Sequence, residues 1–362
     1  MIYYQLHNLL EVILDPAVGK ALVDSIDFQI GYFKSHRSNI NDLKNIIYIK
    51  PYSHFDANYL NNMNIFHLSK GIQGSCFIDD LDGFAIEKYR SGFKIYSDTP
   101  NFIINLYIQF ILVENQHSMI HAAAVVDKQN RVFVLPAAGG AGKTALLGNL
   151  VKNHNFRHMG DDIIILDEHG KCLSFPRCFV FKEYHRTVYP EVFKRLKIRQ
   201  RSNYRIKKFI LDNAPFVGMA KNILKKTKLY HSFAAAMNIS DYLATVPVEE
   251  IFGENATIDM GQLHRIIFLE KYRGKEFKIE GISEDQLSKR MFSIIHHEWI
   301  LGMQQLLKMG AMDIIDLPSY FKNAYEIIKK GISGKNCQIF FIPENASPDI
   351  LVERFIDLAR II

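Results

Sequence analysis

IHAAAVVDKQNRVFVLPAAGGAGKTALLGNLVKNHNFRHMGDDIIILD, residues 120–167, decides how the chain is read. Two apolar, β-branched runs, 120–126 and 131–136, flank a polar turn at Lys128–Asn130 and read as neighbouring strands. AAGGAGKT (137–144) follows, then the amphipathic run ALLGNLVKN as a helix, then DIIILD (162–167) as another strand, which turns at His169-Gly170 and returns as KCLSF (171–175). Strand, glycine-rich turn, Gly-Lys-Thr and helix form a phosphate cradle. The glycines let backbone N–H groups face inward, and the helix aims its positive end at the same place. Ala138, Gly139, Gly140, Ala141, Gly142, Lys143 and Thr144 are therefore the expected nucleotide-binding residues. Lys143 would reach the β- and γ-phosphates and Thr144 would ligate Mg²⁺. The pattern's first glycine is replaced by Ala137, which a negative φ would tolerate.

Such a loop predicts a nucleoside triphosphate but not its fate. Asp161-Asp162, after Gly160, narrow this. One helix and one turn return the next strand's edge beside the loop. Of two adjacent carboxylates there, one can hold Mg²⁺ and the other can take a proton from an attacking hydroxyl. Asp161 is read as the metal ligand beside Thr144, although spacing alone leaves the two roles interchangeable. His121 opens the strand before the loop strand, near enough to act on a transferred phosphate, while a satisfied core histidine is the simpler reading of that residue alone.

Outward from this centre, residues 26–98 read as short strands. The clearest is the hairpin Phe84–Tyr96, its turn at Ser91-Gly92 assigned to a glycine with positive φ. Residues 101–115 read as a buried helix after Pro100, 265–272 as a strand, and 284–308 as one or two helices. Ser319 is the expected N-cap of the helix stopped by Gly331; QIFFIP (338–343) and the helix 348–362 close the chain. The expected class is mixed α/β: a β-rich N-terminal extension over 1–118, a core over 119–300 with a basic insertion at 190–260, and a C-terminal α/β extension, largely helical, over 301–362.

The chain has 362 residues, 48% of them hydrophobic and 23% charged, which excludes wholesale disorder. Four cysteines without a Cys-x-x-Cys pair argue against an oxidised framework and for a reducing cytoplasm. The start lacks the features of a signal peptide, and the apolar run 103–113, interrupted by Asn105 and Gln109, is too short to span a membrane, so no membrane partner is expected. Charge is uneven: residues 192–231 hold twelve Lys/Arg against the single acid Asp212, a local +11 in a chain of net +6. That segment is the expected docking place for an acidic or extended peptide or protein substrate. Nucleic acid is disfavoured, because no zinc-finger or RNP-type motif accompanies it. The pairs His117/His121 and His154/His158 have zinc spacing but lack the glutamate of His-Glu-x-x-His, and no structural metal is expected. A homo-oligomer stays open.

Taken together, IHAAAVV, the GKT loop and the Gly-Asp-Asp strand start resemble HPr kinase/phosphorylase-like proteins, members of the P-loop superfamily that includes phosphoenolpyruvate carboxykinase. The likeness runs over 119–185 and, through RIIFLEK and GISEDQLSKRMF, over 261–300. It implies an HPr-kinase-type C-terminal-domain core and an ATP- and Mg²⁺-dependent serine kinase in which His121, Lys143, Asp161 and Asp162 are catalytic, Asp162 accepting the proton of the target serine. It also implies a further Mg²⁺-binding glutamate, for which Glu183 lies in the right region. The late arginine signature of HPr kinases has no counterpart here, which implies a divergent kinase with its own acceptor. Shorter relatives in that superfamily phosphorylate the C-terminal serine of lasso-peptide precursors, so the resemblance makes a ribosomal precursor peptide of that kind a specific candidate acceptor here. The rival expectations are a kinase for a small hydroxylated metabolite such as free serine or a sugar, a nucleotide-binding regulator without transfer activity, and a nucleic-acid-stimulated ATPase.

Overall fold

A computed structural model describes residues 1–35, 45–55, 69–71, 74–79, 83–89, 92–99, 104–181, 189–195, 244–311 and 313–359. The basic segment beyond residue 195, and Glu183, lie outside the described residues. The architecture is mixed α/β. The chain divides into two compact units, residues 1–177 with 256–362, and 178–255.

In the first unit, the N-terminal part builds a mixed sheet. β1 (Ile2–Leu6) and β2 (Leu10–Leu14) form a hairpin, with β3 (Lys34–Ser35) on the outer edge of β1. Beyond β2 come β4 (Ile46–Lys50), β8 (Gly92–Ser97), β7 (Phe84–Tyr89), β6 (Gly74–Asp79) and β5 (Ser69–Gly71). Residues 26–30, expected as strand, belong instead to α1 (Lys20–Ile30), which buries Leu22, Ile26 and Ile30 at fourfold spacing, one helical stripe. The β7–β8 hairpin is present, but Gly92 does not have the positive φ assigned to it. What position 92 requires is closeness: a Cβ there would lie 2.1 Å from the Ile46 carbonyl oxygen of β4.

α2 (Ile104–Glu114) is buried from Ile104 through Val113, so it has no solvent stripe and its polar members must find partners. Gln109 donates to Ser118 Oγ and accepts the Met119 N–H, pinning the helix to the next strand, β9 (His117–Val126).

The second sheet centres on β9, which pairs antiparallel with β10 (Arg131–Pro136) on one side. On its other side lie β11 (Arg157–Gly160) and β12 (Ile163–Asp167) in succession. β12 continues to β13 (Lys171–Leu173), and β16 (Met260–Tyr272) closes the circuit by pairing with both β13 and β10. β16 then runs on beside β18 (Asn336–Pro343), which also pairs with β17 (Lys278–Gly281). β9 alternates: Met119 faces the core shared with the N-terminal sheet, while Ile120, Ala122, Ala124 and Val126 face a second core.

α3 (Lys143–Asn153) follows β10 through the loop 137–142. Toward the C-terminus come α6 (Glu284–Glu298), α7 (Ile300–Ala311), α8 (Leu317–Gly331) and α9 (Pro348–Ala359). The cap of α8 is Asp316, not Ser319: its carboxylate accepts the Ser319 N–H at 3.0 Å, and Pro318 in the first turn gives up no needed donor.

The second unit has the pair β14 (Phe179–Phe181) and β15 (Ala244–Val246) with the short helices α4 (Pro190–Arg195) and α5 (Val248–Phe252). Phe179, Phe181, Tyr189 and Phe252 cluster edge-to-face in its core.

Candidate functional site

The site is built where β9, the loop after β10 and the β11–β12 junction meet. Gly140 and Gly142 have φ of +78° and +100°, the left-handed values that favour glycine. A Cβ on Gly142 would also come within 2.4 Å of Leu351 Cδ2 on α9. Ala137 is buried and keeps φ out of the positive region, so the missing first glycine of the motif costs the turn nothing. Gly142 caps α3 without a side chain, and Lys143 and Thr144 open the helix, as the sequence requires.

The aspartates owe their place to an irregular strand. β11 and β12 pair with the same edge of β9, and β11 carries a bulge just before the junction, where Met159 is the extra residue between the partners of Val125 and Ala124. The turn is tight: a Cβ on Gly160 would lie 2.4 Å from the Ile163 carbonyl oxygen. The Ala122 N–H donates to the Asp162 carbonyl, which fixes the junction beside the alanines of β9.

Side chains then converge. The Lys143 ammonium donates to the Ala137 and Ala138 carbonyls at 2.8 and 3.2 Å and lies 2.9 Å from His121 Nε2. Lysine has only protons to offer, so Nε2 accepts and Nδ1 carries the imidazole hydrogen; Nδ1 stands 3.3 Å from Asp162 Oδ1. Thr144 Oγ1 donates to Asp161 Oδ2 at 3.1 Å. His121, Lys143, Thr144, Asp161 and Asp162, all singled out from the sequence, are thus one constellation.

Two members carry no sequence signal. Arg177 Nη1 donates to Asp162 Oδ2 at 2.5 Å, and its guanidinium lies over the Phe28 ring. Glu298, at the end of α6, accepts the Gly139 N–H at 3.3 Å and stands 3.9 Å from His121 Nε2. No spacing rule joins positions 139 and 298, or 162 and 177; only the fold does.

Electrostatics separate the two carboxyls. Burial, then the neighbouring Asp162 charge, push Asp161 up to about 7. Burial would raise Asp162 as well, but Arg177, His121 and Lys143 outweigh it and hold that carboxyl below the usual range. Burial lowers His121 against the pull of Asp162, and lowers Lys143 against Asp162, Asp161 and Glu298. Asp162 is therefore ionised and, with 43% of its side chain exposed, reachable.

Among the described residues no group of three or more His, Cys, Asp or Glu side chains is placed to hold a metal by itself. A cation shared with a bound triphosphate needs fewer protein ligands. Thr144 and Asp161 fit it, because Asp161 Oδ1 is sealed from solvent with no hydrogen-bond partner, an unmet acceptor that a hard cation would satisfy. The zinc-spaced pairs are not on helices: His117 and His121 lie in β9, while His154 caps α3 and His158 lies in β11. Among the described residues no helix is long and apolar enough to cross a membrane.

Neither a family model nor a curated protein matches the chain. Among solved structures it is similar to the HPr(Ser) kinase/phosphatase from Coxiella burnetii, at 10% identity over 67% of this chain and 98% of that one, with a TM-score of 0.28. A likeness that distant says nothing of the chemistry, which has to come from the residues.

Proposed function

We propose that the protein is an ATP- and Mg²⁺-dependent kinase that transfers the γ-phosphate to a serine hydroxyl of a peptide or protein. One observation carries this reading: the lysine and threonine of a glycine-rich loop, a histidine and two electrostatically divided aspartates meet in one place.

Phosphoryl transfer asks mainly for positioning and charge stabilisation. The loop amides and Lys143, swung from the Ala137 and Ala138 carbonyls, would hold the β- and γ-phosphates. Thr144 and Asp161 would hold Mg²⁺, which when bound neutralises charge on the phosphate oxygens. The serine oxygen attacks the γ-phosphorus, its new O–P bond forming as the bond to the β-bridging oxygen breaks, and its proton passes to the Asp162 carboxylate. Arg177, donating to Asp162 Oδ2, keeps that carboxylate oriented and ionised, with His121 Nδ1 3.3 Å from Oδ1. A peptide acceptor, drawn by the basic segment 192–231, is favoured over a small metabolite because a single +11 stretch suits an extended acidic ligand. Its docking should weaken with salt.

The test is transfer from radiolabelled ATP to a panel of serine peptides beside free serine and sugars. The wild type labels a peptide. Lys143→Ala and Asp162→Ala each lose labelling by at least about a hundredfold while remaining folded. Transfer undiminished in both variants ends this mechanism, and labelling of metabolites alone moves the substrate class. Tight ATP binding with no acceptor labelled makes the protein a regulator.

A further inference from the structure

The phosphate cradle is engaged by the chain's own groups on both of its sides. Lys143, the cation of the loop, is folded back on the carbonyls of Ala137 and Ala138. Gly139, which should present its N–H to a phosphate oxygen, presents it to the Glu298 carboxylate. That carboxylate comes from α6, far along the chain, and its Oε1 also approaches His121 Nε2 at 3.9 Å. A carboxylate oxygen that accepts a loop N–H, within the field of the Lys143 ammonium, stands where an anionic phosphate oxygen would.

We propose that Glu298 is an internal stand-in for phosphate, a self-ligand that must withdraw from Gly139 before a nucleotide can seat. The proposal rests on the reading of the loop as a triphosphate site and adds its regulation. Two negative groups cannot share one N–H at hydrogen-bond distance, so phosphate entry expels the carboxylate. Glu298 is free to leave: it is the last residue of α6, 35% of its side chain is exposed, and Trp299 rather than Glu298 anchors the helix end in the core. Binding at the loop is thereby tied to the C-terminal end of α6, so whatever shifts that end tunes affinity.

The experiment measures binding of ATP, and of pyrophosphate as a probe of the phosphate contacts alone, to the full chain by calorimetry without divalent cation. Glu298→Ala removes the competing carboxylate and should bind both anions about two- to tenfold more tightly, the worth of one exposed charge-assisted hydrogen bond. Glu298→Gln, which keeps the shape but not the charge, should fall between. Thermal unfolding without ligand confirms that both variants fold. Equal or weaker binding by Glu298→Ala, where the wild type binds, overturns the self-ligand while leaving the nucleotide site intact. Binding by neither protein removes the loop reading and the self-ligand together.

Discussion

Asp161 shows what a single residue gives up to serve a site. Its carboxyl is pushed up to about 7, Oδ1 has no partner, and only Thr144 relieves Oδ2. Without a cation the charged form is therefore a burden on the fold. Asp161→Asn keeps the shape and the Thr144 contact but removes the charge. It should stabilise the metal-free protein by about 1–2 kcal/mol near pH 7, read as a higher urea midpoint. The same variant should lose the extra stabilisation that ATP with Mg²⁺ gives the wild type. A lower midpoint in the absence of ligand would show that the Asp161 charge is compensated after all. Four of the charged or titratable side chains in this cluster, His121, Lys143, Asp161 and Asp162, are legible in the sequence because each lies on or beside the strand–loop–helix–strand stretch. Arg177 and Glu298 are not. They arrive from elsewhere in the fold, and a lone arginine after a proline or a glutamate at a helix end looks like any surface charge until the fold places it.

At the scale of elements, the loop and α3 follow directly from glycine spacing, since only positive-φ residues make that turn. The bulge in β11 does not: RHMGDDIIILD reads as a turn and one strand, and the extra residue, Met159, becomes evident only from pairing with β9. Gly160 is where that bulge is most exposed to test. A Cβ there would meet the Ile163 carbonyl at 2.4 Å and the Ile164 side chain at 2.8 Å. Gly160→Ala should therefore cost about 1–3 kcal/mol, measured by chemical denaturation, and move both aspartates away from Thr144 and His121. Gly139→Ala is the contrast, because its Cβ would stand 3.6 Å from Glu298 Oε1 without a positive φ and should leave stability nearly unchanged. Equal costs for the two would mean that the bulge relaxes freely. Caps show the same limit on reading a sequence. Asp316 and Ser319 are both good N-cap residues, and what selects Asp316 is that the chain is already helical at Leu317. Gly92 was legible as a special glycine but not as a contact, since Ile46 is nowhere near it in sequence.

Over the whole molecule, buried imidazoles set the response to acid. Burial holds His7, His121 and His296 below the ordinary histidine value, and draws His158, wholly enclosed in β11, down to about 3. In the unfolded chain each would take a proton near pH 6.5. Between that pH and the folded value the unfolded state holds more protons, so stability is complete above about 6.5 and is lost as the pH falls. Each such group can contribute a slope of up to about 1.4 kcal/mol per pH unit. Asp161 works the other way in the metal-free protein, because a carboxyl pushed up to about 7 keeps its proton in the folded state and favours folding as the pH drops toward 4. The histidines outnumber it, so the wild type should lose stability between pH 6.5 and 4. His158→Gln isolates one contribution: position 158 keeps its backbone bonds to Ala256 and Ile258, while the titrating ring is gone. Urea midpoints measured at intervals from pH 7 to 4 should fall less steeply for the variant, the two curves separating below pH 6.5 and continuing to diverge toward pH 4. Parallel curves would mean that His158 accepts its proton in the folded protein, and so that water reaches β11 beneath the site.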